Sequence, residues 1–343
     1  MYDKQYCMSS YLTFRYVVQP GMGWNEEYIP TYPSFSKTPQ KKIHCVDDID
    51  RFLCEYIKKN CDDTTCIFLS GGIDSAILAS YLPEGARAYT IKFDADGAVD
   101  ESKDAQRYAD RYGLNLDVVN VTWHDYIENE PKLMRNKKSP LHPVEVGLYV
   151  TSCVAKKDGM DKILLGNGAD STFGGMDKLL SKDWNFEEFV ERYSFVNASQ
   201  ILINPVSMLD EYNRYKKEKN GIDYISFLKN THGTGIIQAF DNAIGLAECT
   251  TLEPYEEMTL ESPLDLNRVR LGEPKYMLAE LFKKRYPGLL PAKKIPFARP
   301  MDQWLLGWAG PQRREFRENC VSGLTGDQKY LIHSLERFLN LLG

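Results

Sequence analysis

The sequence predicts an α/β protein, a doubly wound parallel sheet followed by a mostly helical half. Two observations carry this. Apolar strand-like runs alternate with helical patterns from about residue 46 to Leu165, and beyond Lys182 the strand signal disappears while helices with aromatic anchors take over. Taken in order, the Tyr- and Pro-rich segment to Cys45 contains an alternating Tyr11–Val17 stretch that predicts a strand, then a Gly/Pro-punctuated loop; it is too short for an independent domain and is expected to be an arm. Asp47 to Asn60 places Ile49, Phe52, Leu53, Tyr56 and Ile57 at helical spacing and leads into the continuous apolar run Thr65–Leu69, typical of a central parallel strand. A Gly-Gly turn, a helix from Asp74 to Leu82 and a strand from Ala88 to Phe93 follow. Next come a helix from Asp100 to Tyr112 closed by Gly113, a strand from Leu116 to Val121, a helix from Val144 to Lys157 and a strand from Asp161 to Leu165. In the second half, Phe186, Phe189, Val190 and Tyr193, and later Tyr276, Leu278, Leu281 and Phe282, mark helices.

The 343 residues, 43% of them hydrophobic, suffice for a sizeable core. With 42 Lys+Arg against 48 Asp+Glu the formal net charge is −6, which argues against a general nucleic-acid surface. No apolar run approaches the ~20 residues of a membrane helix, and the start Met1–Cys7 lacks the pattern of a signal peptide, so no membrane association and a cytoplasmic location are expected. The eight cysteines show no C-x-x-C pair and are expected to be free thiols.

The most informative segment is Ile67-Phe68-Leu69-Ser70-Gly71-Gly72-Ile73-Asp74-Ser75, a strand, a small-residue turn and a helix start. Glycines let the backbone approach an anion, N–H groups turn toward it, and Ser70 and Ser75 add hydroxyls, which makes a phosphate cradle at the carboxyl end of a strand. Asp74 would repel phosphate unless a cation intervenes, so Mg²⁺ is implied. An ordinary strand-to-helix turn with a first-turn acid is the bland alternative, and the whole Ser-Gly-Gly-x-Asp-Ser string argues against it. This string resembles that of the PP-loop (adenine nucleotide alpha hydrolase-like) ATP pyrophosphatases, which cleave ATP between the α and β phosphates.

Two further segments sharpen the resemblance. Gly166-Asn167-Gly168-Ala169-Asp170-Ser171-Thr172-Phe173-Gly174-Gly175-Met176 again leaves a strand into a Gly-rich loop and is similar to the Gly-Glu-Gly-Ala-Asp-Glu-x-Phe-Gly-Gly loop in the synthetase domain of asparagine synthetase. Leu290-Pro291, Lys293-Lys294-Ile-Pro-Phe297 and Pro300…Trp304-Leu305 resemble that family's third motif, which places its catalytic lysine on Lys294. The resemblance spans roughly residues 46 to 310.

What it implies is an ATP-dependent ligase that adenylates a small carboxylate, releases pyrophosphate and passes the acyl group to ammonia or another amine. ATP and Mg²⁺ are the implied cofactors. Residues 1–45 would be the arm, 46–180 the ATP-binding portion and 181–343 the helical substrate-binding portion. Asp74 and Asp170 would hold the metal, and Lys294 would neutralise charge on the α-phosphate or a tetrahedral oxyanion. Phe68, Leu69 and Ile91 are placed to meet adenine with Leu165 and Gly166 beneath the sugar, while Asn167, Gly168 and Ser171 would line the substrate side.

Departures from the family matter as much. Residue 2 is Tyr where the glutamine-dependent enzymes begin with a nucleophilic cysteine, and the phosphate loop already begins at Ser70, so the nitrogen donor is expected to come from elsewhere, with a separate ammonia-supplying or pathway partner as one source. Asn167 and Ser171 stand where the family loop has glutamates, and an amide or hydroxyl cannot replace a carboxylate base. The β-lactam and carbapenam synthetases lack these glutamates as well and share Gly-Gly-Met, but use a Tyr that Asn167 does not match. Glu248 and Glu253, which flank the family's Glu-x-Arg-x-Pro-Phe position, are the candidate replacement bases; ordinary surface acids are the plainer reading of each. His142 and His232 are weaker candidates, because a lone histidine beside Pro or Gly is more often structural. The alternatives are a PP-loop RNA-modifying enzyme and a non-catalytic nucleotide-binding descendant.

Overall fold

A computed structural model describes residues 1–32, 40–292 and 299–343. The strands are β1 (Lys41–Ile43), β2 (Thr65–Phe68), β3 (Arg87–Phe93), β4 (Asn115–Val121), β5 (Lys162–Leu164), β6 (Thr250–Leu252) and β7 (Met258–Leu260). The principal helices are α1 (Lys4–Phe14), α2 (Val46–Asn60), α3 (Ile73–Ala79), α4 (Ser102–Tyr112), α5 (Trp123–Lys137), α6 (Glu145–Lys157), α7 (Ala169–Phe173), α8 (Phe186–Tyr193), α9 (Gly233–Leu246), α10 (Tyr276–Arg285) and α11 (Gly326–Leu342). Five strands run parallel in the order β4-β3-β2-β5-β6, and β1 pairs with β7 in a small parallel ribbon.

Strand alternation decides which layer each helix covers. Ile67, Leu69 and Leu164 join one core with Ile49, Leu53, Ile77, Leu278 and Leu281, so α2, α3 and α10 pack on that face. Cys66, Ile163 and Leu165 join the other with Tyr126, Val146, Ala239 and Leu335, so α5, α6, α9 and α11 cover the opposite face. A third, aromatic cluster in the helical half gathers Phe14, Phe189, Tyr193, Tyr212 and Phe227. The expected two-layered parallel sheet and helical half are thus present, and all eight cysteines are free. Among the described residues no helix is long and apolar enough to cross a membrane.

Two expectations need correction. Tyr11 to Phe14 belongs to helix α1, not a strand. Asp3 caps that helix by accepting from the Tyr6 N–H at 2.9 Å, and every residue from Cys7 to Phe14 is buried, so no polar face shows in its sequence. The Thr13 and Leu12 carbonyls accept from the Phe195 and Val196 N–H groups, so α1 packs against the main body of the protein. The strand signal also does not end at Lys182, since β6 extends the main sheet beside β5 with Leu252 opposite Leu164.

Candidate functional site

The carboxyl end of β2 opens into the first glycine loop, which is closed on itself. The Ser70 N–H donates to Ser75 Oγ at 3.1 Å, the two hydroxyls lie 3.0 Å apart, and the Gly72 N–H donates to Ser70 Oγ at 3.2 Å. Three tyrosines hold its outer side through carbonyls: Tyr108 on Gly71 at 3.3 Å, Tyr255 on Asp74 at 3.1 Å and Tyr286 on Ala76 at 2.7 Å. The second loop crosses close above, and a Cβ on Gly166 would lie 3.1 Å from Asp74 Cβ.

Leaving β5, Gly168 turns at φ +86°, where a Cβ would also come within 2.7 Å of the Glu256 nitrogen. Glycine is required there on both counts. The turn delivers Asp170 opposite Asp74, and Lys275 lies between them. Its ammonium hydrogen-bonds Asp74 Oδ2 and pairs with Asp170 Oδ1 at 2.7 Å, with the lysine 5% exposed. Burial alone would lower the Lys275 pKa, but the facing Asp74 and Asp170 carboxylates outweigh it and hold the ammonium charged. Lys275 itself sits at φ 53°, in the left-handed region, at the start of α10. A Cβ on Gly175 would collide with both Asp170 Oδ1 and Lys275 Cε. Gly175→Ala is therefore expected to force this pair apart and lower the melting temperature; an unchanged melting curve with unchanged nucleotide affinity would refute that dependence.

The donor chemistry of Asp74 and Asp170 fits Mg²⁺, a hard ion that takes carboxylate, phosphate and water oxygens, although in this structure the Lys275 ammonium bridges the two carboxylates. Among the described residues no group of three or more His, Cys, Asp or Glu could hold a metal alone, so the phosphates would complete the site.

On the neighbouring strand, Glu253 follows the end of β6. Its Oε1 accepts from the Asn167 side-chain N–H at 2.7 Å. Burial pushes its carboxyl up to about 7, the Asn167 hydrogen bond opposes this, and nearby Asp241 and Glu256 add to the rise. Ser171 turns its hydroxyl back to the Gly168 carbonyl at 3.0 Å. Beside them opens a cleft of about 690 Å³ that reaches Ser171, Thr172, Asp241, Glu253 and Glu256.

The structure thus brings together Ser70, Gly71, Gly72, Asp74, Ser75, Gly166, Asn167, Gly168, Asp170, Ser171 and Glu253. It separates Glu248, which precedes β6 at the amino end of the sheet, where its carbonyl accepts from Lys156 at 2.9 Å. A base at the phosphate loops must come from the carboxyl end, so Glu248 is not that base. Leu69 is buried in one core, so its side chain is not free to stack on a base, whereas Phe68 and Ile91 are only partly buried; Leu165, expected beneath the sugar, is buried in the opposite core. Lys294 lies outside the described residues. His142 is buried and His232 half-buried; they serve as hydrogen-bond partners of Arg15 at 2.6 Å and Tyr193 at 3.0 Å, and desolvation pushes both pKa values down. Sequence reasoning missed Lys275, Asp241 and Glu256. Lys275 follows Glu273-Pro274 at an ordinary helix start, and no local spacing marks it.

Comparison with known proteins follows the same lines. The family model described as asparagine synthase matches residues 58–228. Amidase chry2 of Gibberella zeae is 25% identical over 174 residues, 45% of this chain and 26% of that protein. Amidase chyE of Penicillium rubens is 25% identical over 174 residues, 45% of this chain and 25% of its own. The match therefore spans about a quarter of the length of these curated relatives. Among solved structures, NMN synthetase from Francisella tularensis superposes over 73% of this chain and 100% of its own at 10% identity, with a TM-score of 0.29, too loose to inform the site.

Proposed function

From residues 58–228, which carry an asparagine synthetase-like synthetase domain, we propose that the chain is an ATP-dependent carbon–nitrogen ligase. It adenylates a small carboxylate with release of pyrophosphate, then passes the acyl group to an amine or ammonia. The observation that carries the reading is the convergence of Asp74, Asp170 and Lys275 at the ends of adjacent strands β2 and β5, with Glu253 just past the end of the next strand, β6.

In this reading the Ser70–Ser75 loop and the Lys275 ammonium receive the β and γ phosphates, while Asp74 and Asp170 would hold Mg²⁺. That ion, when bound, would neutralise charge on the departing pyrophosphate. A carboxylate oxygen attacks the α-phosphorus and the bond to pyrophosphate breaks, leaving an acyl-adenylate. Glu253 then takes one proton from the incoming ammonium, and the freed nitrogen lone pair attacks the acyl carbon. As the C–N bond forms, the C–O bond to AMP breaks with its electron pair leaving on AMP. The second nitrogen proton passes to water. A carboxyl that titrates near neutrality suits such a general base, and Asn167 orients it by hydrogen bonding where the family loop has a glutamate.

The test is radiolabelled pyrophosphate–ATP exchange across a panel of carboxylates. Substrate-dependent exchange that is lost in Asp74→Ala is expected. Exchange that needs RNA, or tight ATP binding with no exchange for any carboxylate, would overturn the reading.

A further inference from the structure

The cleft beside the second loop is chemically two-sided. Met176, Leu228, Ile237 and Leu264 give it an apolar wall, and its volume of about 690 Å³ is that of a small-molecule site rather than of a passage for ammonia. The same lining carries Asp241, Glu253, Glu256 and Glu257 and, among the described residues, one cation, Lys229.

That cation offsets only part of their charge: it opposes the rise of the Glu256 carboxyl pKa but makes no ion pair with these acids among the described residues. Lys229 Nζ donates to Gln40 Oε1 at 3.2 Å. Glu257 faces the Tyr56 hydroxyl, and among the described residues Asp241 accepts a single hydrogen bond, from Thr251 at 3.5 Å. Glu253 is half-buried, and its Oε1 accepts from the Asn167 side chain at 2.7 Å. None of these acids is in an ion pair among the described residues, whereas acids elsewhere pair freely, as in Lys137–Glu145, Arg337–Glu130 and Arg87–Asp158. Burial raises the carboxyl pKa values of Asp241, Glu253 and Glu256, with Lys229 opposing the rise at Glu256, and the cluster as a whole is short of counter-charge. A positive ligand group seated among them would supply it.

We infer that this cleft is the acceptor site of the ligase and takes an alkylammonium, a primary amine carried on an apolar body, in preference to bare ammonium. The inference rests on the amide-ligase reading above and names the class of its second substrate. The ammonium sits among Asp241, Glu253 and Glu256, the apolar body lies on the Met176–Leu264 wall, and the nitrogen is then within the reach of Glu253 beside Asn167.

Calorimetric titration of the full chain at pH 8 with n-butylammonium, ammonium and 1-butanol tests this directly. Saturable binding of butylammonium is expected, at least tenfold tighter than either comparator and at least tenfold weaker in Glu256→Gln. Equal affinity for butanol would reduce the cleft to an apolar groove, and equal affinity for ammonium would remove the alkyl preference; either overturns the inference, as does absence of saturable butylammonium binding. The comparison within the unaltered protein keeps the result independent of whether the variant folds. Pyrophosphate exchange on the same preparation separates the two readings. Exchange without a butylammonium preference refutes the inference alone, whereas butylammonium binding with no exchange for any carboxylate refutes the ligase and with it the acceptor role.

Discussion

Replacing Lys275 with Met is expected to reduce carboxylate-dependent pyrophosphate exchange at least ~100-fold and to lower the melting temperature markedly. The buried lysine is a cation shared by Asp74 and Asp170, and its removal withdraws that positive charge from both carboxylates. Lys275→Arg should not restore exchange. The guanidinium is wider than the ammonium, and Gly175 already leaves no room for a Cβ beside the lysine stem. Exchange within threefold of the unaltered chain in Lys275→Met would show that the ammonium is structural only.

Glu253→Gln is expected to slow amide formation by about 10²–10⁴-fold, the range for loss of a placed general base. The loss should fall on amide formation and not on pyrophosphate exchange, because Glu253 stands on the amine side of the second loop. In the unaltered chain, amide formation should rise with pH through about 7, as the carboxyl loses its proton and becomes able to accept one. The variant should lose that rise. Stability moves the other way. Folding raises this carboxyl above its ordinary value of 4.5, so the stability it contributes is complete below that value and is lost as pH climbs through about 7. Glu253→Gln should therefore melt at a higher temperature than the unaltered chain at pH 8. A variant that melts lower and retains the pH rise would sink the assignment.

Both glycine loops were legible because their signals are local: an apolar run, small residues and an acid at fixed spacing. The central strands β2 and β3 were legible for the same reason. Helix α1 was not, since burial on every side erased the polar face that marks a surface helix, and the remaining Tyr11–Val17 alternation mimics a strand. Strand β6 has three residues, too few to show a period, and it follows Glu248 at φ 59°. Without β6, Glu248 and Glu253 look equivalent in sequence, yet the strand sends them to opposite ends of the sheet. Lys275 and the acidic cleft depend on approaches between distant segments: α10 against the phosphate loop, α9 against the turn after β6. Only the folded chain shows these.

The tyrosine hydroxyls on Gly71, Asp74 and Ala76 come from α4, from the turn after β6 and from the end of α10. The phosphate loop is thus preorganised by three separate parts of the chain. Its ordering entropy is charged to folding, and nucleotide binding need not supply it again. The loop should accordingly open only when those parts come away together, placing the binding element in the most cooperative, slowest-exchanging portion of the molecule and not among its mobile loops.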